Sequence, residues 1–261
     1  MIDLRCGDCL EVMKDIPDKS IDMILCDLPY GTTACKWDIV IPFDKLWEQY
    51  NRIIKDNGAV VLFGSEPFSS QLRMSNLKNY KYDWVWNKKN SGTGLLAKYQ
   101  PLKITENIII FGKNKVNYYP IMTKVDKVVN RKKFANKNMG EHLGNTILKI
   151  KQDTGYRYPK NILEFYKDTK NQYQKKYHPT QKPVALLEYL IKTYTNEGDT
   201  VLDNCAGSMS TVIASINTNR NCIAIEKDKN YFEIGKKRVI EHLKINNISA
   251  NLVIFDNECA I

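Results

Sequence analysis

Apolar runs of strand length recur along this chain, and most are followed by a helical pattern. Residues 3–6, 21–26, 59–63, 200–203 and 221–225 are such runs. Helical patterns follow through Leu10, Val12 and Met13, and through Leu46, Trp47, Tyr50, Ile53 and Ile54, where Asp44 is read as the cap and Asn57-Gly58 as the stop. Ser65-Glu66-Pro67 opens another, running to about Leu77. Later, Pro183 suits the first turn of a helix carrying Leu186, Leu187, Leu190 and Ile191 that ends at Glu197-Gly198. Residues 210–216 form the next, and Asp228 caps a long one through Tyr231, Ile234, Val239 and Leu243. Residues 80–86 and 104–111 read as an antiparallel hairpin across residues 88–103. Strands alternating with helices predict an α/β fold, a largely parallel doubly wound sheet with helices on both faces.

The alternation breaks once, after Gly112, and there the charge is concentrated. Residues 113–177 hold 16 Lys+Arg against 5 Asp+Glu, a net of +11, whereas the rest of the chain holds 23 against 24, a net of −1. Tyr118, Tyr119, Phe134, Tyr156, Tyr158, Phe165, Tyr166, Tyr173 and Tyr177 are interleaved with these cations, which supplies charge for phosphate and flat faces for bases or a small core. We therefore divide the chain into residues 1–112, an inserted basic lobe at 113–177, and residues 178–261 that return to the sheet. Arg131, Lys132 and Lys133 are the densest charge in the lobe and its foremost candidates for phosphate contact. A hydrophobic content of 43% supports a substantial core, and no stretch reaches the ~18 apolar residues of a membrane span, so a soluble, cytoplasmic protein is expected. The seven cysteines are scattered, as reduced thiols would be, and Cys6-Gly7-Asp8-Cys9 lacks the second pair or histidines that a zinc site needs, so no metal is expected.

Asp27-Leu28-Pro29-Tyr30 follows the strand run 21–26 directly, at the strand end where open α/β sheets bind ligands. Pro29 biases Leu28 toward an extended backbone and helps leave its carbonyl free. An acid, a free carbonyl and an aromatic face side by side can accept two hydrogen bonds from an amino group and stack on the ring that carries it. A second constellation begins at Asp203, continues through Cys205, Gly207, Ser208, Met209 and Thr211, and reaches Glu226 23 residues later. It reads as strand, glycine turn, helix, strand and acid, in which the turn admits a ligand to backbone N–H groups and the acid can take ribose hydroxyls. The G-x-G-x-x-G pattern of dinucleotide binding is absent.

These elements resemble the β-class amino-methylating DNA methyltransferases. The tetrapeptide is similar to their Asp-Pro-Pro-Tyr, with Leu28 for the first proline; the second constellation to their Asp-Pro-Phe-x-Gly-Ser-Gly-Thr-Thr, with Asn204, Cys205, Met209 and Ser210 as departures; and His178-Pro179-Thr180-Gln181-Lys182-Pro183 to their His-Pro-Thr-x-Lys-Pro. The order, tetrapeptide first and cofactor loop last, is the permuted β-class order. The resemblance implies a Rossmann-like permuted methyltransferase fold and a site-specific DNA adenine-N6 methyltransferase that uses S-adenosylmethionine. Asp27 and the Leu28 carbonyl would hold the adenine amine and Tyr30 would stack on the base. Asp8 would lie near the cofactor's adenine, His178, Thr180 and Lys182 at its methionine end, Asp203, Cys205, Gly207, Ser208 and Thr211 in its loop, and Glu226 on its ribose. Phe63-Gly64 and residues 84–88 resemble elements lining the target-base pocket, though Trp84 reads better as core, as do Cys26 and Cys205, so no covalent cysteine is expected. The implied partner is double-stranded DNA and no membrane, with a homodimer left open. The alternatives are cytosine-N4 methylation, whose enzymes usually carry serine at the place of Asp27, and a DNA-binding module weakened in catalysis through Met209.

Overall fold

A computed structural model describes residues 1–33, 35, 38–90, 94–125, 154–166 and 181–256. Its elements in chain order are β1 (Ile2–Cys6), α1 (Cys9–Val12), β2 (Ile21–Cys26), α2 (Phe43–Ile53), β3 (Ile54–Gly64), α3 (Phe68–Ser75), β4 (Tyr80–Asn87), β5 (Thr105–Phe111), β6 (Thr123–Lys124), β7 (Tyr156–Arg157), β8 (Ile162–Glu164), α4 (Val184–Tyr194), β9 (Thr200–Asp203), α5 (Ser210–Asn217), β10 (Asn221–Glu226), α6 (Lys229–Ile245) and β11 (Leu252–Asp256). The chain forms two compact units, Met1–Tyr119 with Asn161–Ile261, and Pro120–Lys160. In the second, β6 and β7 pair antiparallel, Thr123 opposite Arg157.

The first unit is built on a nine-stranded sheet of order β11-β1-β10-β9-β2-β3-β5-β4-β8. Every described pairing in it is parallel except those of β5, which runs antiparallel to both neighbours. β2 shows why helices cover both faces: all six of its residues are buried. Ile24 and Cys26 pack with Leu46, Tyr50, Phe68 and Leu72 of α2 and α3, while Met23 and Leu25 pack with Leu186, Leu187 and Leu190 of α4. The period of two thus sends alternate residues to opposite layers. β10 does the same, with Ile223 and Ile225 on the α2 side and Cys222 and Ala224 among residues of α5 and α6. From β9 the chain crosses to β10 in one direction, and from β2 to β3 in the other, so the adjacent β2 and β9 mark the switch point where such sheets open a crevice.

Several sequence expectations are corrected in detail. Helix α2 starts at Phe43 on Pro42, one residue before Asp44, and stops at Ile53, so Asn57-Gly58 lies inside β3. The glycine serves the sheet: a Cβ on Gly58 would lie 2.8 Å from the Asp22 carbonyl oxygen, beside the register shift between Ile21 and Met23. Helix α4 ends at Tyr194, ahead of Glu197-Gly198, because Thr195 is extended and its hydroxyl takes the Ile191 carbonyl at 2.6 Å. Strands β8 and β11 carried no legible pattern. His178, Thr180, Arg131, Lys132 and Lys133 lie outside the described residues.

Candidate active site

The carboxyl ends of the parallel strands bring the sequence's acids to one edge. Asp27 follows β2, Asp203 ends β9, Glu226 ends β10, and Asp8 follows β1 after Gly7. All four line a single cavity of about 750 Å³, together with Leu28, Pro29, Tyr30, Lys182, Cys205, Gly207, Ser208 and Thr211. A cavity of this size is ample for a cofactor-sized ligand. Because β5 runs backward, its beginning reaches this same edge, and Glu106, opposite Trp86 of β4, joins the lining.

Around Asp27 the acid is held by side chains. Tyr30 Oη donates to Oδ1 at 2.7 Å, and Lys182 Nζ donates to Oδ2 at 2.5 Å. The same ammonium lies 3.5 Å from Glu106 Oε2, and Glu106 Oε1 accepts from Lys88 Nζ at 2.9 Å. Lys88 and Lys182 are buried while Asp27 and Glu106 are partly buried and face the cavity, so two cations and two carboxylates form a quartet at its wall. Burial raises the Asp27 carboxyl and Glu106 adds to it; Lys182 and Tyr30 oppose, and the carboxyl stays above its ordinary range. Burial would lower Lys182, but two carboxylates on one ammonium outweigh that and hold the lysine above its ordinary value, protonated. The Tyr30 ring is braced by Phe68, with centroids 4.8 Å apart and planes 22° from parallel.

Beyond the tetrapeptide, Asp38 fixes the cavity wall by accepting from the backbone N–H of Gly31 at 2.9 Å, Thr32 at 2.9 Å and Thr33 at 2.7 Å. Burial pushes its carboxyl up, yet the Thr33 side chain and these backbone bonds together prevail and hold it below its ordinary value. Trp84 is a core residue whose Nε1 donates to Tyr194 Oη at 2.6 Å, whereas Trp86 reaches the cavity wall.

In the other corner each acid accepts at least one backbone N–H. Glu226 accepts from the N–H of Gly207 at 2.6 Å and of Asp228 at 2.8 Å, and burial raises its carboxyl. Asp203 accepts from the Cys205 N–H at 3.1 Å, and burial pushes it up to about 6. Asp8 caps α1 through the Leu10 N–H at 3.0 Å and takes Lys227 Nζ at 3.0 Å. The departures in the turn are each accommodated. Asn204 accepts the buried Tyr50 hydroxyl at 2.5 Å, and the Cys205 thiol is hydrogen-bonded with those of Cys9 and Cys26. Met209 adopts the left-handed conformation of a glycine, φ 62° and ψ 33°, with its side chain fully buried against Gly235, where a Cβ would lie 2.3 Å from Met209 Cγ. The turn therefore keeps a glycine-like path despite the side chain. Arg238 of α6 secures it, donating to the Ser208 carbonyl at 2.7 Å and the Ser210 hydroxyl at 2.9 Å.

Sequence reasoning missed Glu106, Asp38 and Arg238, whereas Lys88 belongs to the stretch 84–88 already read as resembling a target-base pocket element. For Glu106 a signal existed: the hairpin partner of a strand ending at Trp86 must begin at that strand's carboxyl edge. Lys182, assigned by resemblance to the methionine end of the cofactor, has its ammonium on Asp27. Among the described residues no group of three or more His, Cys, Asp or Glu could hold a metal ion, and no helix is long and apolar enough to cross a membrane.

Residues 21–237 match the family described as DNA methylase. The chain is 30% identical to the DNA adenine methyltransferase YhdJ of Escherichia coli (strain K12), over 89% of this chain and 81% of that protein. It is 27% identical to the type II methyltransferase M.HpaI of Haemophilus parainfluenzae, over 90% of this chain and 73% of the relative. Among solved structures, the M1.HpyAVI–SAM complex superposes with a TM-score of 0.63 at 26% identity, covering 92% of this chain and 99% of the other.

Proposed function

This chain belongs to the DNA methylase family, and on that premise we propose that it transfers a methyl group from S-adenosylmethionine to N6 of an adenine flipped out of double-stranded DNA. The observation that carries the reading is that Asp27, beside Leu28 and the braced Tyr30, opens onto the same cavity as the Asp203–Glu226 turn. Adenine is favoured over cytosine by the carboxylate at Asp27 and by the likeness to a relative named for adenine.

An adenine amine is a poor nucleophile because its lone pair is delocalised into the ring, and the duplex hides it; flipping exposes it at a cost of a few kcal/mol. Asp27 and the Leu28 carbonyl accept its two N–H bonds, which shifts electron density onto nitrogen and aims the lone pair. Tyr30 holds the ring flat. S-adenosylmethionine supplies an electrophilic methyl group on a sulfonium. The lining fits this cofactor: Glu226 would accept from ribose hydroxyls, the Gly207 turn would admit a ligand to the backbone, Asp8 would face the adenine, and an ionised Asp203 would favour a cationic ligand. His178, Thr180 and Lys182 belong to the segment at the methionine end, with Cys205, Ser208 and Thr211 lining the turn. Positioning and fixed charge supply most of the acceleration. Cys26, buried and pushed up to about 12, is a protonated core thiol. The basic lobe, residues 113–177, binds DNA phosphates, foremost through Arg131, Lys132 and Lys133, and the protein acts in the cytoplasm, alone or as a homodimer.

The test is transfer of labelled methyl from S-adenosylmethionine to DNA, followed by nucleoside analysis. N6-methyladenine is the expected product. N4-methylcytosine would move the assignment to the sister activity, and absence of transfer despite cofactor binding would leave only a binding module.

A further inference from the structure

Two buried ammonium groups and two partly buried carboxylates meet at the catalytic corner, yet of the four the proposed reaction uses only Asp27. Both Asp27 oxygens are engaged, Oδ1 by Tyr30 at 2.7 Å and Oδ2 by Lys182 at 2.5 Å. A target amine that hydrogen-bonds Asp27 must share or replace one of these donors. Tyr30 is tied into its stack on Phe68, whereas Lys182 already faces a second acceptor, Glu106 Oε2, at 3.5 Å. That separation exceeds a full hydrogen bond of about 2.7–2.9 Å for such a pair, so the lysine can close on Glu106 with a shift of under about 1 Å. Glu106 cannot follow it, because its other oxygen is held by the buried Lys88 at 2.9 Å. Phe63 and Tyr30, with ring centroids 5.1 and 5.9 Å from the ammonium, keep the cation in place along the way.

We propose that Lys182 and Glu106 form an exchangeable counterion for Asp27: Lys182 holds the acid ionised and aimed until the target amine arrives, and Glu106 receives the ammonium when the amine takes its place. The proposal rests on the reading of Asp27 as the acceptor of that amine. In the resting site Lys182 neutralises Asp27. Once Lys182 has moved, the carboxylate's charge faces the positive charge that develops on N6. Lys182 and Glu106 are thus positioning residues, acting through Asp27.

The groups facing Asp27 are Tyr30 and Cys26 on its own segment, Asp203 from β9, Glu106 from β5 with Lys88 behind it, and Lys182 ahead of α4. Removing the cation must make Asp27 harder to ionise, and removing the neighbouring anion must make it easier. The experiment is the pH dependence of kcat/KM for DNA at saturating cofactor, with kcat measured alongside, for wild type, Lys182→Met, Lys182→Arg and Glu106→Gln, with cofactor binding by calorimetry as the check on folding. The acid limb is expected to move up by about one unit or more in Lys182→Met and down in Glu106→Gln, and to stay near wild type in Lys182→Arg. Glu106→Gln should also lose about tenfold or more in kcat, since the lysine loses its charged receiver. A merely structural role would lower activity without moving the limbs in opposite senses. Unmoved limbs, or limbs moving the same way, overturn the exchange. If Lys182→Met does not fold, the sign of the Glu106→Gln shift, read against an unmoved Lys182→Arg limb, decides. Wild type that binds cofactor yet transfers no methyl would instead sink the reaction itself.

Discussion

The two corners of the cavity hold their acids by different means. At the cofactor corner Glu226, Asp203 and Asp8 accept backbone N–H groups, most of them two residues away in sequence. At the catalytic corner Asp27 is held by side chains, and its strongest partner, Lys182, lies 155 residues away. Backbone clamps make an acid's position part of the local fold, whereas side-chain ion pairs can exchange partners without moving a strand. The backbone-clamped corner is thus suited to a fixed mould, although Asp8 also pairs with Lys227, and the Asp27 corner to an exchange of partners.

The largest effect that sharpens this contrast is Asp27→Ala. Losing a hydrogen bond to a charged acceptor costs about 1.5–3 kcal/mol, roughly tenfold to a few hundredfold in rate, and lost orientation adds to it. Methyl transfer should collapse while cofactor affinity, measured by calorimetry, stays near wild type. Near-normal turnover would remove the assignment of the acid.

Glu226→Gln probes the mould. A glutamine has one acceptor oxygen, so its NH2 must confront either the Gly207 or the Asp228 N–H that the carboxylate now accepts. Cofactor affinity should fall by about tenfold or more, without a change in the base methylated. Unaltered affinity would show that the turn keeps its shape without the acid.

Met209→Gly acts on the same turn through stability. It relieves roughly 1–2 kcal/mol of left-handed strain but removes a fully buried side chain, a loss of about 2–5 kcal/mol for truncation to alanine. Net destabilisation of about 1–3 kcal/mol is expected in denaturant unfolding. Gly235→Ala should also destabilise, because its Cβ would meet Met209, and the double variant should recover part of the loss. Purely additive losses would mean that the two positions do not share the space.

The smallest effect is in pH. The Asp203 carboxyl, raised by burial to about 6 from 3.8, binds its proton more tightly in the folded protein. Its contribution to stability therefore declines as pH rises from about 4 to about 6. A cationic cofactor prefers the ionised form, so cofactor affinity should strengthen severalfold through about pH 6 and then level. Asp203→Asn should flatten that dependence in calorimetry between pH 5 and 7.5, and an unchanged curve would assign it to another group.

The contrast also explains what was legible in the sequence. Asp203, Glu226 and Asp228 announce themselves because caps and glycine turns are short-range patterns, and Asp27-Leu28-Pro29-Tyr30 because its parts are adjacent, whereas Asp8 was reached only through the family resemblance. The doubly wound sheet followed from strand runs buried on both faces, as in β2. Glu106 stayed hidden because its meaning depends on β5 running backward, which places the start of β5 beside the end of β4, where Lys88 meets it. Lys182 was noticed but placed with the cofactor, since its motif says where the helix begins and not where a long side chain reaches. Gly58 was misread because a bulge glycine and a helix-stopping glycine are the same letter. β11 lacked a signal because a short edge strand has few alternating positions.

The most direct measurement is the position of the target amine in a crystal of the protein with S-adenosylhomocysteine and target-containing DNA. N6 is expected within about 3 Å of both an Asp27 oxygen and the Leu28 carbonyl, with Lys182 drawn onto Glu106. A flipped base lying elsewhere in the cavity, or an amine facing the Asp203–Glu226 turn, would contradict it.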